Sequence, residues 1–140
     1  RLLKETSDAI KLAGGISGVH CCGNADWPLV TGSGTEIVSF DAYGYAETIS
    51  IYPADFTEFL RGGGYLAWGI VPTTESIREE SSDSIKRRFD MTIERLSRSM
   101  PADLLLSRIL LTPSCGTGSR SMEETLKVFQ LLRGLKESLL

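Results

Sequence analysis

Apolar and polar positions follow two periods along this chain. Leu2, Leu3, Ile10 and Leu12 lie among charged neighbours, and Gly14 and Gly15 follow them. That pattern predicts the end of an amphipathic helix. Residues 16–22 form a short apolar run, which predicts a buried strand. Residues 23–34 contain Asn24, Pro28 and Gly32 and predict a loop. Residues 36–43 (EIVSFDAY) are rich in β-branched and aromatic side chains and predict a second strand. Pro53 suits the first turn of a helix reaching about Leu60, which Gly62, Gly63 and Gly64 stop. Residues 65–71 (YLAWGIV) predict a third strand, ended by Pro72.

A long helix is expected from about Ser76 to Met100. Ser76 and Glu79 match a capping box, and Ile85, Phe89, Ile93 and Leu96 recur every three or four residues. Pro101 ends it. Residues 108–112 (RILLT) predict a fourth strand. Ser121 and Glu124 form a second capping box, opening a helix with Leu126, Phe129, Leu132 and Leu135 on one side.

A helix followed by four strand–helix units predicts an α/β fold with a parallel sheet and covering helices. Four such units are half of a (β/α)8 TIM-barrel type. A closed barrel typically needs about 250 residues, and this chain has 140. The expectation is a single domain supplying a half barrel, completed by an N-terminal half or by another chain in a homo-oligomer. The first residue, Arg1, agrees with a processed chain or a piece of a longer one. No sequence repeat relates the units.

Composition narrows the class. Hydrophobic residues make up 41% and charged residues 24%, as in a packed soluble domain. No apolar run approaches the roughly 20 residues that span a bilayer, and no signal-peptide pattern is present. The net charge is -3 with scattered Lys and Arg, unlike the basic stripe of a nucleic-acid surface. Three cysteines, Cys21, Cys22 and Cys115, make an odd count that does not suggest a disulfide framework. A reducing cytoplasm is the expected compartment.

The chemistry gathers at strand ends. In Val19-His20-Cys21-Cys22-Gly23, positions two apart share a strand face, so His20 and Cys22 aim together and Cys21 points away. An imidazole and a thiolate there suit zinc, and the alternative is a packed or surface pair. Cys115 follows the fourth strand, where Gly residues allow a tight turn. Loops at that end of parallel strands carry the chemistry of barrels. Asp41 ends VSFD on the same face as Ser39. It is a further candidate ligand or, equally, a carboxylate holding a backbone N–H or a ligand's second side. Trp27 and Trp68 are candidates to stack on a donor ring, against a core role. The stretch 116–119 (GTGS) lacks the Lys and spacing of a phosphate loop. Arg87 and Arg88 read as a solvated helix face. A vicinal Cys21–Cys22 redox pair is disfavoured by strain.

These segments together resemble a known family. VHCCGNADW, IVSFDAY, LAWGIVPT and LTPSCGTGS, in this order, are similar to the C-terminal half of the cobalamin-independent methionine synthase family. That family lies in a superfamily with uroporphyrinogen decarboxylase and the corrinoid-dependent methyltransferases. The resemblance covers nearly the whole chain and is strongest to the family's short archaeal and bacterial members. It implies a zinc site in which His20 and Cys22 match the H-x-C motif and Cys115 the late cysteine. The family's acidic ligand is usually Glu; Asp41 stands at the matching place, one methylene shorter. It further implies a cytoplasmic methyltransferase acting on a homocysteine-like thiol, with a corrinoid protein or a folate as donor. The scattered charge and the absence of a long apolar run argue against a nucleic-acid or membrane partner. The alternatives are a catalytically silent half-barrel for binding or assembly, and a uroporphyrinogen-decarboxylase-like enzyme that would not require the thiols.

Overall fold

The computed structural model describes residues 1–140. Its elements in chain order are α1 (Leu2–Leu12), β1 (Gly18–Cys21), α2 (Trp27–Thr31), β2 (Ile37–Phe40), α3 (Ala42–Tyr45), α4 (Pro53–Arg61), β3 (Tyr65–Val71), α5 (Ser82–Leu96), α6 (Ala102–Ser107), β4 (Ile109–Pro113) and α7 (Met122–Ser138). Short 3-10 turns occupy Ala46–Ile51 and Glu75–Arg78. The strands form one all-parallel sheet in the order β1-β2-β3-β4. Each connection crosses over the sheet through helix, as parallel pairing requires.

The register sorts the strand side chains into two faces. Val19 pairs with Val38 and Val38 with Leu66, and Cys21 pairs with Phe40 and Phe40 with Trp68, on the face the helices cover. Helix α2 brings Trp27 and Val30 to this core, α4 Phe56 and Leu60, and α5 Ile85, Phe89, Ile93 and Leu96. Trp27, Phe40 and Trp68 pack edge to face in series, with centroids 5.9 and 5.2 Å apart. Ring edges meeting ring faces give such pairs about 1 kcal/mol each beyond area burial.

The opposite face carries His20, Ile37, Ser39, Tyr65, Ala67 and Leu110, none of which joins the hydrophobic core cluster. Tyr65 is 37% and Leu110 41% exposed. All-parallel sheets normally have both faces covered, so this sheet has a bare apolar side. Three strand spacings of about 4.8 Å would hold β1 and β4 about 14 Å apart in a flat sheet. Yet Cys22 and Cys115, just past those two edge strands, bring their sulfurs to 3.3 Å. The sheet therefore curls around its bare face and its rim loops lean inward, a shape compatible with half of a barrel.

Several boundaries differ from expectation. Residues 23–34 hold the short helix α2, whose Asp26 side chain accepts from Leu29 N at 3.3 Å. Five residues are too few to display a helical period. The expected helix over 76–100 divides: Glu75–Arg78 is a 3-10 turn and α5 begins at Ser82. The working capping box is Ser81 with Ser84, not Ser76 with Glu79. Ser81 stands immediately before the apolar face that begins at Ile85, so its cap and that burial reinforce each other. Residues 102–107 add α6. In α7 the buried residues are Val128, Leu131 and Leu135, while Leu126 and Phe129 are half exposed. The packing stripe is thus turned around the helix from the expected one.

Candidate metal centre

The strand β1 ends at Cys21, and the chain bends immediately after it. His20 projects onto the bare face beside its β2 register partner Ser39. Its Nδ1 lies 2.8 Å from Ser39 Oγ, and its Nε2 lies 2.9 Å from Cys22 Sγ. Cys22 Sγ lies 3.3 Å from Cys115 Sγ. The donor atoms of His20, Cys22 and Cys115 all lie within 4.8 Å of one another, and all three residues are exposed. Residues separated by 93 positions meet here because β1 and β4 carry them to the same rim.

Cys115 is placed by the irregular end of the β3–β4 pair. The register shifts between Gly69 and Val71, and Ser114 N bonds to Val71 O at 2.8 Å. The buried Ser114 hydroxyl accepts from Thr73 N at 3.1 Å and meets Thr73 Oγ1 at 3.2 Å. A Cβ on Gly69 would stand 2.4 Å from Phe40 O and 2.7 Å from Ser114 Cα. Only glycine permits that approach. The bulge aims the chain so that Cys115, one residue past Ser114, turns towards β1.

The electrostatics follow from the crowded sulfurs. The Cys22 thiol is raised from 9.0 to about 11. Its hydrogen bond with Cys115 is the largest cause, then burial, then the negative charge of Cys115, Cys21 and Asp41. The crowding favours the protonated Cys22 thiol, and a divalent cation held between the two sulfurs would relieve it. The donor set is one imidazole and two thiols, the borderline-soft mixture that suits zinc. Three protein donors would leave room for one further ligand on a tetrahedral ion. A tetrahedral ion with bonds of about 2.3 Å to sulfur would need the sulfurs about 3.8 Å apart, a small opening for exposed side chains. With Nε2 free for a metal, Nδ1–H donates to Ser39 Oγ, which fixes the ring's tautomer and plane.

The remaining candidates are placed differently. Asp41 is the N-cap of α3, and its Oδ1 accepts from Gly44 N at 2.8 Å. It lies outside the three-donor cluster, yet near enough for its charge to act on Cys22. Trp68 is fully buried on the helix-covered face against Phe40, so it does not line the rim. That corrects the expectation of a stacking surface for substrate: its register position faces away from His20. Trp27 is also core, its Nε1 donating to Thr48 Oγ1 at 3.2 Å. Cys21 points away from Cys22 and donates to Gly23 O at 3.5 Å. Gly69, Thr73 and Ser114 were not singled out by sequence reasoning. Their role arises from pairing between β3 and β4, which no local motif encodes.

No protein-family model matches the chain, and no curated protein matches it either.

Proposed function

We propose that this chain is the zinc-binding part of a thiol methyltransferase similar to the cobalamin-independent methionine synthases, built on half of a TIM-type barrel. The observation that carries the reading is the convergence of His20, Cys22 and Cys115 within 4.8 Å at one rim. The ordered motifs that resemble the family supply the reaction class. A zinc ion held by these residues would supply the Lewis acidity that lowers a thiol's pKa and so favours its nucleophilic form.

The chain's own residues do the rest. His20, oriented by Ser39, and the sulfurs of Cys22 and Cys115 would hold the ion at the open rim, on the side a substrate thiol would approach. Two thiolate donors make the site electron-rich, which keeps a bound sulfur nucleophilic. Asp41, whose Oδ1 caps Gly44 and which lies outside the three-donor cluster, would reach a bound ion only through Oδ2 and would be its weakest donor. The methyl donor, a corrinoid protein or a folate, approaches from above the rim. The bare concave face and the two open sheet edges favour completion of the barrel by an N-terminal half or a second chain. Cytoplasmic location accords with three free thiols. No helix is long and apolar enough to cross a membrane.

The test is methyl transfer to homocysteine from methylcobalamin or methyltetrahydrofolate, with the barrel complete. Cys115→Ser is expected to lower turnover at least 100-fold. Undiminished turnover in that variant would favour the uroporphyrinogen-decarboxylase-like alternative. A folded, metal-free and inactive protein would favour a silent assembly module.

A further inference from the structure

We propose that Cys22 and Cys115 form a reversible disulfide that empties the metal site when a small disulfide oxidises the protein. The inference concerns regulation of the site above and rests on its metal-binding reading. The two sulfurs already stand 3.3 Å apart. A disulfide bond is about 2.04 Å long, so closure needs a relative movement of about 1.3 Å. Both side chains are exposed at the rim, where a soluble oxidant reaches them and neither is locked by core packing.

The third cysteine is a poor competitor. Cys21 is adjacent to Cys22 in sequence but faces the other side of the sheet, with its Sγ on Gly23 O. A vicinal disulfide would be strained as well. Pairing across 93 residues is therefore favoured over pairing with the neighbour.

The chemistry is thiol–disulfide exchange. One of the two cysteines, as thiolate, attacks a sulfur of R–S–S–R, forming a protein mixed disulfide and expelling RS⁻. The other thiolate then attacks the protein-side sulfur, forming the Cys22–Cys115 bond and expelling the second RS⁻. Two protein thiols are oxidised and one small disulfide is reduced to two thiols, which take up the two protons. Closure converts two of the three donors into disulfide sulfurs, which are not thiolate ligands. His20 alone does not hold the ion. Bound metal and oxidant therefore compete for the same sulfurs.

The experiment treats chelator-stripped full-length protein with oxidised glutathione, counts free thiols, maps cross-linked peptides by mass spectrometry and measures zinc uptake before and after. The expected result is a fall from three thiols to one, a Cys22–Cys115 cross-link and loss of zinc uptake, all reversed by dithiothreitol. Cys21→Ser is expected to close normally. Cys115→Ser is expected to stop at a glutathione adduct on Cys22. Three surviving thiols, a Cys21–Cys22 cross-link or a persistent adduct on the unaltered protein overturns the proposal. If the reduced protein still takes up zinc in that case, the metal reading stands. A Cys22–Cys115 cross-link in a chain whose reduced form takes up no zinc overturns the metal reading and the gate with it.

Discussion

Single side chains at the rim carry separable roles. Ser39 touches no proposed substrate, only His20 Nδ1 at 2.8 Å. Removing such an outer partner typically costs 10–100-fold in metal affinity. Ser39→Ala is therefore expected to weaken zinc binding by about that factor, measured by competition with a chromophoric chelator, with an unchanged circular-dichroism spectrum. An unchanged affinity would show that Ser39 does not orient the ring. Protonation sets a second expectation. Cys22 keeps its proton to about 11 in the metal-free protein, chiefly through its bond to Cys115. A raised value means the folded metal-free form holds that proton more tightly than an ordinary thiol would. A metal must displace it, so zinc affinity rises with pH and keeps rising past the usual thiol range. Calorimetry in buffers of different ionisation enthalpy would record proton release on zinc uptake at pH 7 to 9. No release would contradict thiolate ligation. His20 and Cys22 were legible in the sequence because a strand's alternation puts positions two apart on one face. The fate of Asp41 was not, because a carboxylate at a strand end serves equally as ligand or helix cap, and the capped Gly44 amide is visible only in three dimensions.

Among the elements, the paired ends of β3 and β4 decide where Cys115 lies. Gly69→Ala places a Cβ 2.4 Å from Phe40 O and 2.7 Å from Ser114 Cα, both backbone atoms that cannot simply step aside. Overpacking of this kind costs about 1–3 kcal/mol or more. The variant is expected to unfold at lower urea concentration and to lose zinc affinity even where it remains folded. Retained stability and affinity would remove the bulge from the account. Helix α7 depends on its start. Ser121 Oγ accepts from Glu124 N at 3.1 Å and Glu124 reaches back to Ser121 N at 3.2 Å. Ser121→Ala should cost about 1 kcal/mol in denaturant unfolding. That box was legible from spacing alone, and so was the apolar quartet of α5. The start of α5 was not, because Ser76 and Ser81 both offer cap chemistry, and only packing against the core chooses between them. Helices as short as α2 carry no period to read. The turned stripe of α7 shows the same limit: Leu126 and Phe129 fit a helical face, but the sheet and α5 select Val128, Leu131 and Leu135.

At the scale of the molecule, the sheet is finished on one side only. The alternation of strands and helices made the parallel order legible; the half barrel stays a proposal with which that sheet is compatible. The curl that joins the two edge strands at one rim is a property of the assembled sheet. Leu110 belongs to the bare face and is 41% exposed. Leu110→Asn is therefore expected to change the stability of the isolated chain by less than about 1 kcal/mol, while weakening association with the N-terminal half or second chain proposed to cover this face. A large loss of stability in the isolated chain would mean that this face is already packed. One imidazole and two sulfurs from the two edges of the sheet meet at one rim, and the proposed zinc would sit between them. X-ray absorption of the zinc-reconstituted protein, with metal quantified per chain, tests it most directly. The account predicts about one zinc per chain with two sulfur and at least one imidazole neighbour, and loss of a sulfur or of the metal in Cys22→Ser and in Cys115→Ser but not in Cys21→Ser. A zinc shell without sulfur, or full occupancy unchanged in the Cys115→Ser variant, would contradict it.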